Sequence, residues 1–192
     1  MARVLITGSR TWSDTAWLRE MLGWVWVRQG RPADLELWHG GARGADRLGA
    51  AIWRRQGLPV RVITADWDKY GKRAGVVRNQ QLVDQGGYAQ AVAALVPEWI
   101  TATTVRRSGT LDCTARIDRA GVPLVMLIDH RDGGRDQFCH ALAHPDRRQL
   151  YEGRWANVHT LCQGTPWDVR SVATTADWVD CPDCRDRYQH SS

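Results

Sequence analysis

The sequence predicts an α/β fold built on a doubly wound parallel sheet, followed by a smaller C-terminal unit. Five short apolar segments alternate with segments whose apolar residues recur at helical spacing. The apolar segments are almost continuously hydrophobic, which is typical of parallel strands that helices cover on both faces. Glycine-rich junctions follow the first two segments, so we expect a ligand site at the carboxyl edge of the sheet.

The individual elements follow from apolar periodicity and from the residues that start and stop them. The predicted strands cover residues 3–7, 35–39, 60–64, 91–96 and 123–128. The first helix should begin after Ser13 or Asp14, since either side chain can cap a helix. Its apolar residues at helical spacing are Trp17, Met21, Leu22 and Val25. The later helices should span residues 45–56, 75–85 and 110–120, and Gly57 and Gly121 are the expected stops of the first and last of these.

Composition and charge narrow the class of protein. The 192 residues are 43% hydrophobic and 24% charged, which is ordinary for one folded domain with a modest appendage. No apolar run approaches the roughly 18 residues that a membrane span needs, and the first residues do not resemble a signal peptide. We therefore expect a cytoplasmic protein with no membrane partner. The net charge of +5 suits nucleic acids and anionic small molecules equally well.

Two glycine-containing loops have the pattern that binds phosphate groups. The first follows strand 3–7 and contains Gly8, Ser9 and Arg10, and the second, HGGARGAD, continues from strand 35–39. Glycines let backbone N–H groups approach an anion, and the helix that follows directs its positive end at the same place. Taken alone, each loop could also be only a tight turn. The candidate ligand residues of the second loop are Gly40, Gly41, Arg43, Gly44 and Asp46.

The segment ADWDKYGKRAG supplies further candidates. Lys69 and Lys72 are the only lysines of a chain that otherwise uses Arg, and with Arg73 they are expected to cover phosphates. Asp66 and Asp68 follow a strand end, where carboxylates are suited to accept the hydroxyl groups of a ribose. The alternative for these acids and for Arg73 is a solvated, self-paired surface loop. The long connection over residues 97–108 is a second candidate cover.

Four motifs in this order, GSRTWSD, HGGARGAD, ADWDKYGKRAGVVRNQ and SGTLDC, resemble the YspA-like branch of the SLOG superfamily over about residues 2–128. That superfamily groups the SMF/DprA proteins with the LOG phosphoribohydrolases. The resemblance implies a Rossmann-like fold that binds nucleotides or nucleotide-derived signals, commonly as a homodimer.

The resemblance also marks where this chain departs from the LOG enzymes. Their motif PGGxGTxxE supplies a catalytic Glu, and a helix supplies an Arg. Here the matching stretch contains Ser108, Gly109 and Thr110, but Cys113 stands at the Glu position. Arg78 in GVVRNQ resembles the helix Arg, Asn79 follows it, and Asp112 lies one residue short of the Glu position. Arg78 and Asp112 are therefore the catalytic candidates, although the departure favours sensing over hydrolysis.

The C-terminal part predicts a structural zinc site. We expect a first domain over residues 1–130 and a linker with a zinc-binding module over residues 131–192. The spacing HxxC, eighteen residues, CxxC matches a tetrahedral Cys3His site, which is closed and structural. Its ligands would be His159, Cys162, Cys181 and Cys184, with His190 as a possible replacement for His159. A redox CxxC or inert thiols are the alternatives, and Cys113 and Cys139 are expected to be buried outside the site.

These observations favour a domain that binds or senses a nucleotide or nucleotide-derived small molecule, and the resemblance implies a homodimer. The second hypothesis is a hydrolase that cleaves an N-glycosidic or related bond in such a ligand. The third is nucleic-acid binding of the DprA kind, against which the scattering of Arg through the whole chain counts.

Overall fold

A computed structural model of the chain describes residues 2–101, 104–129, 139–141 and 171–173, together with Cys184. The strands are β1 (Arg3–Gly8), β2 (Glu36–His39), β3 (Val60–Val62), β4 (Tyr88–Leu95), β5 (Trp99–Thr101), β6 (Thr104–Val105), β7 (Leu124–Ile128), β8 (Cys139–Ala141) and β9 (Ser171–Ala173). The helices are α1 (Thr15–Arg28), α2 (Ala45–Arg55), α3 (Trp67–Tyr70), α4 (Ala74–Asp84) and α5 (Gly109–Arg119). A 3₁₀ turn (Gly71–Arg73) joins α3 to α4.

The sheet has the strand order β3-β2-β1-β4-β7-β9-β8. The first five of these strands are parallel, which confirms the predicted Rossmann-like α/β architecture. Beyond them, β9 runs antiparallel to β7, and β8 pairs with β9. Strands β5 and β6 form a separate antiparallel pair between β4 and α5. The division into domains at residue 130 stays a prediction.

Two apolar clusters, one on each face of the sheet, hold the fold together. Successive side chains of a strand point to opposite faces, so Val4 and Ile6 belong to one cluster and Leu5 to the other. Leu18 and Leu22 of α1 join the first cluster with residues of α2, and the second contains residues of α4 and α5. Burial of both faces explains why these strands are almost continuously apolar in sequence.

Helix caps set the ends of two elements near the carboxyl edge. Asp14, one of the two expected caps, accepts a hydrogen bond from the Trp17 backbone N–H at 2.8 Å and starts α1. Asp66 accepts one from the Lys69 backbone N–H at 2.9 Å and starts α3. The sequence prediction treated residues 66–74 as a loop, which is wrong, because this cap and the turn after it make the segment helical.

The predicted strands also differ from the observed ones at their ends, and the sequence prediction did not include β5, β6, β8 or β9. The third strand ends at Val62, two residues early, and the fourth begins at Tyr88 rather than Ala91. The polar Gln90 interrupts the apolar pattern, but its buried side-chain amide donates to the carbonyl oxygens of Ala91 and Pro123, at 2.9 and 3.0 Å, so the strand continues through it. Across the described ranges, no helix has the length and apolar character to cross a membrane.

Candidate functional site

A cavity of about 270 Å³ opens at the carboxyl edge of the parallel sheet. The ends of β1 and β4, one side of α4 and the amino terminus of α5 form its walls. Residues in and next to the β5–β6 pair close one side. We call it the edge cavity. The predicted ligand residues that line it are Gly8, Ser9, Arg10, Asp46, Lys72, Arg78, Asn79, Ser108, Gly109 and Thr110.

The remaining predicted ligand residues do not line the edge cavity. Most belong to the second glycine loop and to the segment around α3. They are Gly40, Gly41, Arg43, Gly44, Asp66, Asp68, Lys69 and Arg73. Their ligand roles stay predictions, and the structure gives several of them a different local role.

The second glycine loop wraps around a carboxylate of the chain itself. Asp46 accepts hydrogen bonds from the backbone N–H groups of Gly40, at 3.1 Å, and Ala42, at 3.2 Å, and the N–H of Gly8 also donates to it. Its side chain is almost fully buried, and this burial raises its pKa from 3.8 to about 6 against the opposing effect of Arg78 and the backbone donors. The N–H groups expected to cradle a phosphate here therefore point at Asp46.

The glycines of this loop make room for protein atoms. A Cβ at Gly40 would overlap the Arg78 guanidinium, and a Cβ at Gly44 would overlap the backbone of Ser9 and Arg10. Gly44 also has φ +70° and ψ −129°, a conformation that side chains with a Cβ rarely adopt. The second glycine loop thus packs closely against the first glycine loop and against Arg78.

Arg78 is held on two sides before any ligand arrives. Its Nη1 lies 3.8 Å from the carboxylate of Asp46, and its Nε donates to Oδ1 of Asn79 at 3.1 Å. The Asn79 amide in turn donates to the carbonyl oxygen of Gly109, at 3.1 Å, and to Asp112, at 2.9 Å. The side chain of Arg78 is 15% exposed, and it presents this remaining surface to the edge cavity.

The amino terminus of α5 lines one side of the cavity. Ser108 caps the helix by accepting a hydrogen bond from the backbone N–H of Leu111 at 3.3 Å. Among the described residues, a Cβ placed at Gly109 would meet no atom within 4 Å apart from its chain neighbours and its own helix backbone, so there is room for a side chain at this position. The positive end of the helix dipole therefore faces a cavity that also contains cationic side chains. These are Arg10, Lys72, Arg78 and Arg106.

Neither residue near the family's Glu position offers a reactive group to this cavity. Asp112 lies outside its lining and accepts two hydrogen bonds from the guanidinium of Arg116, both at 3.0 Å. Cys113 is fully buried, as expected, and burial raises the pKa of its thiol to about 12. The carboxylates among the described lining residues are Asp46 and Glu98.

The sequence did not single out Glu98, and it treated Arg106 only as part of a cover. Their side chains pair at 3.4 Å beside β5 and β6, and both are largely exposed. The Arg106 backbone N–H also donates to the Glu98 carbonyl at 2.7 Å. The sequence feature that could have indicated these residues is the long connection over residues 97–108 with Arg near its end. The pairing of β5 with β6 brings this connection back to the cavity, but strands of two or three residues give no recognisable sequence pattern.

His39 is a buried polar residue at the end of β2. Its Nδ1 accepts a hydrogen bond from the Gly41 backbone N–H at 3.0 Å, whereas Nε2 has no hydrogen-bond partner within the described part of the chain. Burial lowers the pKa of His39 to about 4, and the nearby positive charges of Arg54 and Arg78 act in the same direction. The imidazole is thus neutral at pH 7.

The predicted zinc ligands His159, Cys162 and Cys181, and the alternative His190, lie outside the described residues. Cys184 is described, and it is fully buried in the apolar cluster that contains α1. The residues that the structure describes contain no group of three or more potential metal ligands. The zinc site stays a prediction.

Two comparisons with known proteins find relatives of this chain. The family model described as "YspA, cpYpsA-related SLOG family" matches residues 2–70, which contain both glycine loops. The "Gene 61 protein" of Mycobacterium phage D29 is 37% identical over 135 residues, an alignment that covers 67% of this chain and 98% of the phage protein.

Proposed function

We propose that this chain, which belongs to the YspA, cpYpsA-related SLOG family, binds a phosphorylated nucleotide or nucleotide-derived ligand in the edge cavity. Membership in this family indicates a nucleotide-related function. The proposal adds the place and the chemistry: a phosphate group against the amino terminus of α5, with Arg78 beside it.

One observation carries this proposal. The first turn of α5 faces open space at Gly109, while Asn79 joins that turn to the prepositioned Arg78. Helix N–H groups and a fixed guanidinium converging on one open volume are suited to an anion with several acceptor oxygens. Because Arg78 is already ordered by Asp46 and Asn79, a ligand would not have to restrict this side chain on binding.

The surroundings of α5 favour binding or sensing over hydrolysis. Cleavage of an N-glycosidic bond calls for a positioned acid or base, and the carboxylate of Asp112 is engaged by Arg116 and Asn79 outside the cavity. The buried thiol of Cys113 is protonated at neutral pH. The two carboxylates that do line the cavity are engaged by protein groups, Asp46 by loop N–H groups and Glu98 by Arg106. These contacts support a ligand that leaves the site chemically unchanged.

Substitution of Gly109 tests the phosphate position. Gly109→Asp places a negative charge in the open space before α5, whereas Gly109→Asn places a nearly isosteric neutral side chain there. We expect the Asp variant to reduce phosphate-ligand affinity by at least tenfold more than the Asn variant, measured by titration calorimetry with a nucleotide panel. Both variants should unfold at or above the wild-type temperature, since small polar residues suit a first helical turn.

Arg78→Ala provides the second arm, with Arg119→Ala at the far end of α5 as its control. Loss of a charge-assisted contact reduces affinity by roughly tenfold to a hundredfold. If Gly109→Asp and Arg78→Ala both bind every nucleotide of the panel as the wild type does, the proposed site is wrong. Free base accumulating during incubation with wild-type protein would instead favour the hydrolase hypothesis.

We further propose that the C-terminal residues bind one structural zinc ion through His159, Cys162, Cys181 and Cys184. The support is the ligand spacing alone. Elemental analysis should find about one zinc per chain, and Cys181→Ser should lose it while Cys139→Ser, outside the quartet, retains it. Full zinc retention in Cys181→Ser would contradict this assignment.

A further inference from the structure

A large aromatic side chain stands exposed next to the edge cavity. Trp67 is the first residue of α3, and 53% of its surface is exposed. Its Cη2 atom lies 3.9 Å from the position that a Cβ would take at Gly75. Gly75 and Val76 belong to the cavity wall, and Val76 is itself 46% exposed. The indole of Trp67 therefore lies next to the cavity wall, and Gly75 is the wall residue that adjoins it.

The position of this apolar surface relative to the phosphate site follows from α4. Gly75 and Asn79 are four residues apart and lie on the same side of that helix, both in the cavity wall. Four residues correspond to about 6 Å along a helix axis. Asn79 contacts the first turn of α5 through the Gly109 carbonyl, and Gly75, at the apolar end of the wall, lies about one helical turn from Asn79 along α4. A single ribose can connect a phosphate to a base across such a separation.

The local structure fixes Trp67 without using its ring. The helix start depends on the Asp66 side chain, which caps the backbone N–H of Lys69, and the Tyr70 N–H donates to the Asp66 carbonyl. None of these bonds requires an indole at position 67. Exposing half of so large an apolar side chain beside a polar cavity offers a flat surface to a ring that enters with its phosphate in the cavity.

We propose that Trp67 is the stacking surface for the base of the bound nucleotide and that the site therefore selects a heteroaromatic base linked to phosphate through one sugar. This inference rests on the proposed function. The base lies against the indole and Val76 at the outer end of α4, while the phosphate contacts the first turn of α5 and Arg78. A sugar phosphate without a base makes only the second set of contacts.

The test compares the four ribonucleoside 5′-monophosphates with ribose 5-phosphate on the full chain. Trp67→Ala should weaken binding of the tightest monophosphate by about tenfold, as expected for loss of one base–aromatic stack, and leave ribose 5-phosphate binding unchanged. Trp67→Phe should retain most of the affinity because it keeps an aromatic face.

Trp24→Ala is the matched control, because Trp24 is also 53% exposed but belongs to α1. It should bind both classes of ligand as the wild type does. If Trp67→Ala weakens both classes equally, or neither, the stacking assignment is overturned while the phosphate site stands. If the wild type binds none of these probes, the proposed function fails, and this inference fails with it.

Discussion

The loop between β2 and α2 and the loop before α5 contain similar residues, but different atoms occupy the space beside their glycines. At Gly40 and Gly44 the space for a Cβ is filled by the Arg78 guanidinium and by the backbone of Ser9 and Arg10. At Gly109 no atom of the described residues lies within 4 Å of that position, apart from its chain neighbours and its own helix backbone. The loop between β2 and α2 therefore needs glycine for packing, whereas the loop before α5 leaves room beside its glycine.

The polar groups of the two loops differ in the same way. Backbone N–H groups of Gly40 and Ala42 donate to the buried carboxylate of Asp46, so this anion position is occupied by the protein. In the α5 loop, the Ser108 hydroxyl caps the Leu111 N–H, and the helix end faces the edge cavity. A glycine-rich loop after a strand thus indicates that another group lies close to its backbone. Only the structure shows whether that group is a ligand or a side chain of the protein.

The largest expected effect separates the two loops by stability. Gly44→Ala should lower the free energy of unfolding by about 3–5 kcal/mol, because it adds backbone strain to an overlap with neighbouring backbone. Gly109→Ala should change it by less than about 1 kcal/mol and in the stabilising direction. Urea unfolding at equilibrium measures both values. Equal losses in the two variants would contradict the distinction drawn between the loops.

A smaller effect on stability is expected from Gly40→Ala, because the loop between β2 and α2 supports the proposed ligand site only through Arg78. Gly40→Ala must displace the Arg78 guanidinium from the place where Asp46 and Asn79 hold it. We expect phosphate-ligand affinity to fall about tenfold, the effect of one misplaced charge-assisted contact, with a loss of about 1–3 kcal/mol in stability.

Gly23→Ala is the control for Gly40→Ala, since Gly23 lies in α1 and a Cβ there would meet no described atom outside its own helix within 4 Å. It should stabilise the protein by about 0.5–1 kcal/mol and leave ligand binding unchanged. Wild-type affinity in Gly40→Ala would mean that Arg78 does not depend on this glycine for its position.

The pH dependence of stability offers a third test, which concerns the buried residues His39 and Asp46 at the two ends of the loop between β2 and α2. The pKa of Asp46 is raised from 3.8 to about 6, so the folded state binds more protons between these values and its contribution to stability falls as pH rises. The pKa of His39 is lowered from 6.5 to about 4, so the unfolded state binds more protons there and this contribution rises with pH. The two contributions oppose each other between about pH 4 and 6.

Replacing His39 should leave the pH-dependent contribution of Asp46 to stability without an opposing contribution. Gln can replace the Nδ1 acceptor of His39 for the Gly41 N–H, so His39→Gln should fold. Its unfolding free energy should then fall, by on the order of 2 kcal/mol, as pH rises from 4 to 6. Denaturant titrations at several pH values measure this slope. A slope identical to that of the wild type would contradict the balance between His39 and Asp46.

The sequence predicted the parallel sheet because burial on both faces gives its strands continuous apolar runs. It predicted ten of the cavity-lining residues because parallel strand ends share one edge. It could not tell that Asp46 would satisfy the N–H groups of the loop, since a carboxylate six residues after Gly40 reads equally well as a ligand residue or a helix-start acid. It did not single out the exposed Trp67, because an aromatic residue in a short capped helix has no periodic pattern to indicate which side it presents.

The smallest expected effect on stability and ligand affinity concerns Asp112, which belongs to α5. Its bonds to Arg116 and Asn79 lie outside the cavity, so Asp112→Asn should lower stability by about 1 kcal/mol or less. Phosphate-ligand affinity should change by less than about twofold, because the substituted group does not face the ligand. Chromatography after long incubation should recover the nucleotide intact from both proteins. Free base released by the wild type and not by Asp112→Asn would show that this carboxylate reaches the ligand, and the open loop before α5 would then serve catalysis as well as binding.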